Sequence, residues 1–119
     1  MPFKTILTQL VEVTPHASGA ILADWEGEAV EQHSLYDDYE LKLMGAYKGI
    51  ILNRMKDVHA ALAAGKMQDA VITSGKQQVI IGAVGPDYSL VMTLSSGAMT
   101  GLALHRFREA VKLLEKEIY

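Results

Sequence analysis

Residues 69–95 read DAVITSGKQQVIIGAVGPDYSLVMTLS, three apolar runs parted by two turns. The runs DAVITS, QQVIIGAV and YSLVMTLS are rich in Val, Ile, Leu and Thr, residue types that fit a pleated, half-buried backbone. Gly75-Lys76 separates the first two, and Gly85-Pro86-Asp87 separates the last two. Connections this short join antiparallel neighbours, so the stretch predicts a three-stranded meander. The rest of the chain is arranged around it.

Upstream, GAILADW and EAVEQHS form a second pair of runs about Glu26-Gly27, where Gly27 can take the positive φ of a tight hairpin. A bend centred there would set Trp25 opposite Glu28, Asp24 opposite Ala29, and Leu22 opposite Glu31. Between the two groups of strands the period changes. Leu41, Met44, Tyr47, Ile51, Met55, Val58 and Leu62 recur at spacings of three and four, which predicts a long amphipathic helix from about Asp37 to Ala64, closed by Gly65. Gly45 and Gly49 each cost such a helix about 1 kcal/mol relative to Ala, which invites a reason such as close approach of another backbone. At the ends of the chain, Phe3, Ile6, Leu7 and Leu10 predict a helix from about Pro2 to Thr14, stopped by Pro15. Leu104, Phe107, Val111, Leu114 and Ile118 predict a last helix that starts near Ser96 or Gly97. The expected order is α-β-β-α-β-β-β-α, an α+β domain.

The 119 residues suffice for one domain. Lys and Arg number 11 against 14 Asp and Glu, a net charge of −3 that disfavours nucleic acid and anionic membranes. No cysteine is present, which removes disulfides, thiolate metal sites and a cysteine nucleophile and suits a reducing cytosol. No apolar run has the length of a membrane span or the form of an export signal, so a cytoplasmic location is expected, without membrane insertion.

Asp24, Glu26, Glu28 and Glu31 crowd the first hairpin, but alternation along the strands sends them to different faces of a solvated tip, where polar residues border a bend. His16, His33, His59 and His105 fall in a loop, a strand and two helices, with no spacing that brings a pair onto one helical face. Ser74-Gly75-Lys76 lacks the earlier glycine and the following helix of a phosphate-binding loop. In SSGAMTG, residues 95–101, a serine N-cap explains the composition without a bound anion. No GxSxG surrounds any serine. The sequence therefore predicts no catalytic residue, no metal site and no cofactor.

What remains is surface. Leu43, Ala46, Ile50 and Ala61 lie on the middle helix away from its main stripe, beside Arg54 and Asp57, and form a second apolar face suited to a partner. The run holding Asp69, Val71, Ile72 and Thr73 has no proline or lysine to blunt it as a sheet edge, whereas EAVEQHS carries charges that suit an exposed margin. If it lies at the edge, antiparallel pairing with the same strand of a second copy would be two-fold symmetric and would close a homodimer.

The element order, together with GAILADWEGEAVE at the first hairpin, AVITSGKQQVIIGAVGPDYSLVMTLS in the meander and GLALHRFREAVKLLEKEI at the end, resembles the Roadblock/dynein light chain family along nearly the whole chain. The most telling pieces are the small-apolar strand closed by Asp24, Glu26 and Gly27, and the strand-to-helix step ending in Gly101-Leu102. The resemblance implies a five-stranded antiparallel sheet with the terminal helices on one face and the middle helix on the other. It also implies dimers joined through the third strands and the middle helices. Members of that family are non-catalytic subunits or regulators of small Ras-like GTPases and of motor or signalling complexes, among them a bacterial gliding-motility protein that stimulates hydrolysis by its GTPase. Arg54 could in principle enter a partner's site, but Asp57, three residues on, offers it an intrahelical pair. The last helix ends at Tyr119 without the tail of longer gliding-type relatives, so no tail-dependent activity is expected. A scaffold without GTPase regulation and a small-molecule sensor are the other readings.

Overall fold

The computed structural model describes residues 2–24, 28–35, 69–73, 77–95 and 97–119. Helix α1, Pro2–Val13, opens on a proline whose fixed φ suits a first turn. It ends where Thr14-Pro15-His16 turns the chain, with His16 in the left-handed region at φ 70°. Strands β1 (Ala17–Asp24), β2 (Ala29–Ser34), β3 (Asp69–Thr73), β4 (Gln77–Val84) and β5 (Tyr88–Ser95) form one antiparallel sheet in the order β2-β1-β5-β4-β3. Helix α2, Thr100–Ile118, closes the described chain. The middle helix expected over residues 37–64 lies outside the described residues.

The meander is present as read: β3 pairs β4 in unbroken register from Asp69 opposite Gly82 to Thr73 opposite Gln78, and β4 pairs β5 from Gln77 opposite Ser95 to Val84 opposite Tyr88. The first hairpin docks against it through β1 and β5, which makes β5 the middle of the sheet.

Alternation along the strands divides the buried residues. Ala20, Leu22, Ile80, Val84, Leu90, Met92 and Leu94 join Leu7, Leu10 and Val11 of α1 and Ala103, Phe107, Ala110 and Leu114 of α2 in one core. Ile21, Ala23, Val79, Ile81 and Val91 alternate with them on the opposite face and are buried as well. Burial on both faces explains why β4 and β5 read as nearly continuous apolar runs.

Three expectations require correction. The last helix begins at Thr100, not near Ser96 or Gly97, and its N-cap is Met99, extended at φ −81° and ψ 100°, with no side-chain cap. Gly97, at φ 94°, is used to turn out of β5, so the helix cannot start until that turn is complete. Thr100 Oγ1 then lies 3.1 Å from Gln78 Oε1, fixing the helix start on β4. Second, the buried stripe of α2 is rotated toward Ala103 and Ala110, while Leu104, Val111 and Ile118 are only half-buried. Small side chains let the helix approach α1 and the sheet closely, which the bulky pattern alone does not reveal. Third, Leu22 does face Glu31, but Ala23 faces Ala29, leaving Val30 as an extra residue on β2. This is a β-bulge, a frequent feature of edge strands.

Candidate interaction surface

Strand β3 lies at the edge of the sheet, the condition on which the sequence reading of a pairing edge depended, and among the described residues it pairs only with β4. Register assigns its faces. Asp69, Val71 and Thr73 stand opposite Gly82, Ile80 and Gln78, on the side of the sheet that carries α2; Ala70 stands opposite Ile81 on the other. Val71 is 38% exposed, so α2 does not fully cover the edge strand. Among the described residues the strand offers an exposed apolar side chain and one backbone side with no neighbouring strand, the combination that invites strand addition.

Asp69 is not available to a partner in the same way. Its carboxylate receives two hydrogen bonds from Arg108 of α2, Nε to Oδ2 at 2.9 Å and the terminal nitrogen to Oδ1 at 3.2 Å. The fork raises the Arg108 pKa above its ordinary value, first through the hydrogen bond and then through the charge of Asp69. The pair ties the start of β3 to α2, a role that periodicity could not disclose because the partners are 39 residues apart. Predicted edge residues Val71 and Thr73 are exposed, and Ile72 holds its place in the ladder opposite Val79. The predicted partner face, Leu43, Ala46, Ile50, Arg54, Asp57 and Ala61, lies outside the described residues.

The carboxylates of the first hairpin act as its closure. Asp24 N–H donates to Glu28 O at 3.0 Å, and Glu28 N–H donates back to Asp24 Oδ1 at the same distance. Glu31 Oε1 accepts from the neighbouring Gln32 N–H. His105 is engaged by Glu109, one helical turn on, at 2.6 Å. Ser95 Oγ and His16 Nδ1 come within 3.4 Å, but the same hydroxyl also meets His16 O, and Ser95 N–H donates to that carbonyl at 2.9 Å, so the contact belongs to the turn between α1 and β1. Among the described residues no three His, Asp or Glu side chains are grouped to hold a metal ion, and no helix is long and apolar enough to cross a membrane.

A second contact missed from sequence joins the chain end to the meander. Tyr119 lies over Gly85, and its hydroxyl donates to Asp87 Oδ2 at 3.1 Å. Partial withdrawal of the ring from water, followed by that hydrogen bond, raises the tyrosine pKa above its ordinary value.

No protein-family model matches the sequence, and no curated protein matches it significantly. Solved structures do resemble it in fold. The Roadblock/LC7 domain from Streptomyces avermitilis superposes with a TM-score of 0.88 at 16% identity, over 97% of this chain and 96% of that one. Myxococcus xanthus MglB gives 0.89 at 14% identity, over 99% and 95%. MglB in a tetrameric arrangement gives 0.86 at 15% identity, over 97% of this chain and 86% of that one. At these identities the likeness concerns the fold, and it agrees with the resemblance carried by the sequence motifs: the chain has the fold of a Roadblock/LC7 domain.

Proposed function

We infer that the protein is a non-catalytic, dimeric binding module that engages a small Ras-like GTPase in the cytoplasm and regulates its hydrolysis. The observation that carries this reading is that β3 ends the sheet and, among the described residues, pairs only with β4, in a Roadblock/LC7 fold. Two copies would join β3 to β3 in antiparallel pairing, which is two-fold symmetric and closes on itself. The middle helix would cover the second buried face of the sheet, a placement supported by the burial of Ile21, Val79, Ile81 and Val91. Two such helices side by side would present Leu43, Ala46, Ile50, Arg54, Asp57 and Ala61 to the partner. Likeness to MglB supports a GTPase over other partners.

The module works in this reading by differential affinity. A platform that binds the hydrolysis-competent conformation of the GTPase more tightly than the alternative shifts the population toward it, while the reacting groups stay in the GTPase. The test is GTP turnover by the small Ras-like GTPase encoded nearest to this chain, with and without the purified protein, beside a binding measurement. Binding with faster turnover is expected. Binding without a change in turnover leaves an adaptor, and absence of binding to the GTPase refutes the reading. Leu43→Glu and Ile50→Glu should weaken binding while leaving the fold intact.

A further inference from the structure

The two edges of the sheet are built differently. Leu35 N–H donates to Ser18 O at 2.8 Å, and this fixes the alternation of β2. His33 and Glu31 turn their backbone groups toward β1, whereas Gln32, opposite Ile21, turns its N–H and C=O outward. Both outward groups of Gln32 are already engaged. Glu31 Oε1 accepts from Gln32 N–H at 3.1 Å, and Lys4 Nζ, reaching across from α1, donates to Gln32 O. Toward the turn, the bulge at Val30 breaks the regular spacing an incoming strand would need. Strand β3 has none of these features: its register is unbroken, and among the described residues no side chain bonds its backbone.

We propose that β2 is a closed edge, guarded by Lys4, Glu31 and the Val30 bulge, and that the guard confines strand pairing between copies of this chain to β3. This rests on the dimer reading above and deepens it. Joining two sheets through β3 leaves a β2 edge at each outer end. Were those edges open, a second strand-to-strand joint would form there and the assembly would run on without closing. A lysine and a bulge at the exposed margin are the means by which sheet proteins prevent this. The guard thus makes the association finite.

The experiment is sedimentation of the full chain over a concentration series, comparing the wild type with the Lys4→Ala/Glu31→Ala double variant, alongside amide hydrogen exchange at Gln32. The wild type should level off at the mass of two copies, and the double variant should exceed it as concentration rises. The Gln32 amide should exchange about tenfold faster once its acceptor is removed, the effect of one side-chain hydrogen bond. A double variant that exposes the Gln32 amide yet stays at two copies overturns the guard and leaves the β3 dimer standing. A Gln32 amide that is no faster also overturns it. If the wild type is a monomer, the β3 reading fails by itself, and the guard then stands or falls on whether the double variant associates. Should the double variant not fold, Lys4→Met, which keeps the stem and removes the donor, is read by the same masses.

Discussion

Gly85 shows how a single position can join two distant parts of the chain. Its φ of 62° lies in the left-handed region, and a Cβ placed there would run into the ring of Tyr119. Gly85→Ala should therefore lower stability by about 1–2 kcal/mol from the backbone preference alone, with a further loss as the tyrosine is displaced. In a Tyr119→Ala background only the backbone part should remain, so chemical denaturation of the two single variants and the double variant separates the contributions. Equal penalties in both backgrounds would mean that the ring does not rest on the glycine. The same tyrosine predicts a pH effect. Its folded pKa is raised, so the stability it contributes is complete below the unfolded value near 10 and is lost as pH rises through the folded value. Tyr119→Phe should flatten that alkaline loss while leaving the neutral-pH profile nearly parallel to wild type. A thermal midpoint that falls equally in both proteins above pH 10 would contradict the assignment.

At the scale of elements, the strands were legible because their periods and turns are local, and the errors arose where tertiary packing decides. Apolar alternation and the GPD turn carry β4 and β5 without reference to anything else. The face of α2 is different: Ala103 and Ala110 are buried at 1% and 4% in the core that α2 shares with α1 and the sheet, and nothing in an alanine announces a close contact. Ala110→Leu should cost about 1–3 kcal/mol by overpacking that junction, measured as a shift in the denaturation midpoint. A neutral result would show that the helices stand further apart than described. Likewise the Val30 bulge depends on β2 being an edge, which residues 28–34 do not state by themselves. The candidate site divides the same way. That β3 has no lysine or proline to blunt it was readable in the sequence, whereas its place at the sheet edge and the Asp69–Arg108 fork required the fold. Val71→Lys should leave the folded copy within about 0.5 kcal/mol of wild type, being an exposed position, while a charge on that edge opposes pairing. Ile72→Pro should oppose it too, by removing a strand donor. If sedimentation of Val71→Lys still gave the wild-type mass, pairing through this strand would be excluded.

For the whole molecule, the question is which force joins the copies. Each carries a formal net charge of −3, so the long-range field between two of them is repulsive. A joint made from strand hydrogen bonds and apolar cover, with Val71 at the edge, does not rely on opposite charges, and Asp69 on the same strand is already held within its own chain. Screening should then favour association. Raising salt from about 0.05 to 0.5 M shortens the reach of the repulsion to a few ångströms, so the dissociation constant of the wild-type dimer should fall modestly, by up to a few-fold. The opposite outcome, weakening by tenfold or more, would identify an ionic joint in which Asp69 or Arg108 exchanges its partner for one on the second copy. Asp69→Asn settles the remaining ambiguity, because it removes the charge without adding bulk. In the strand-edge account it loosens the link to α2 yet leaves the salt response in the same direction, whereas in an ionic account it abolishes the response together with the dimer.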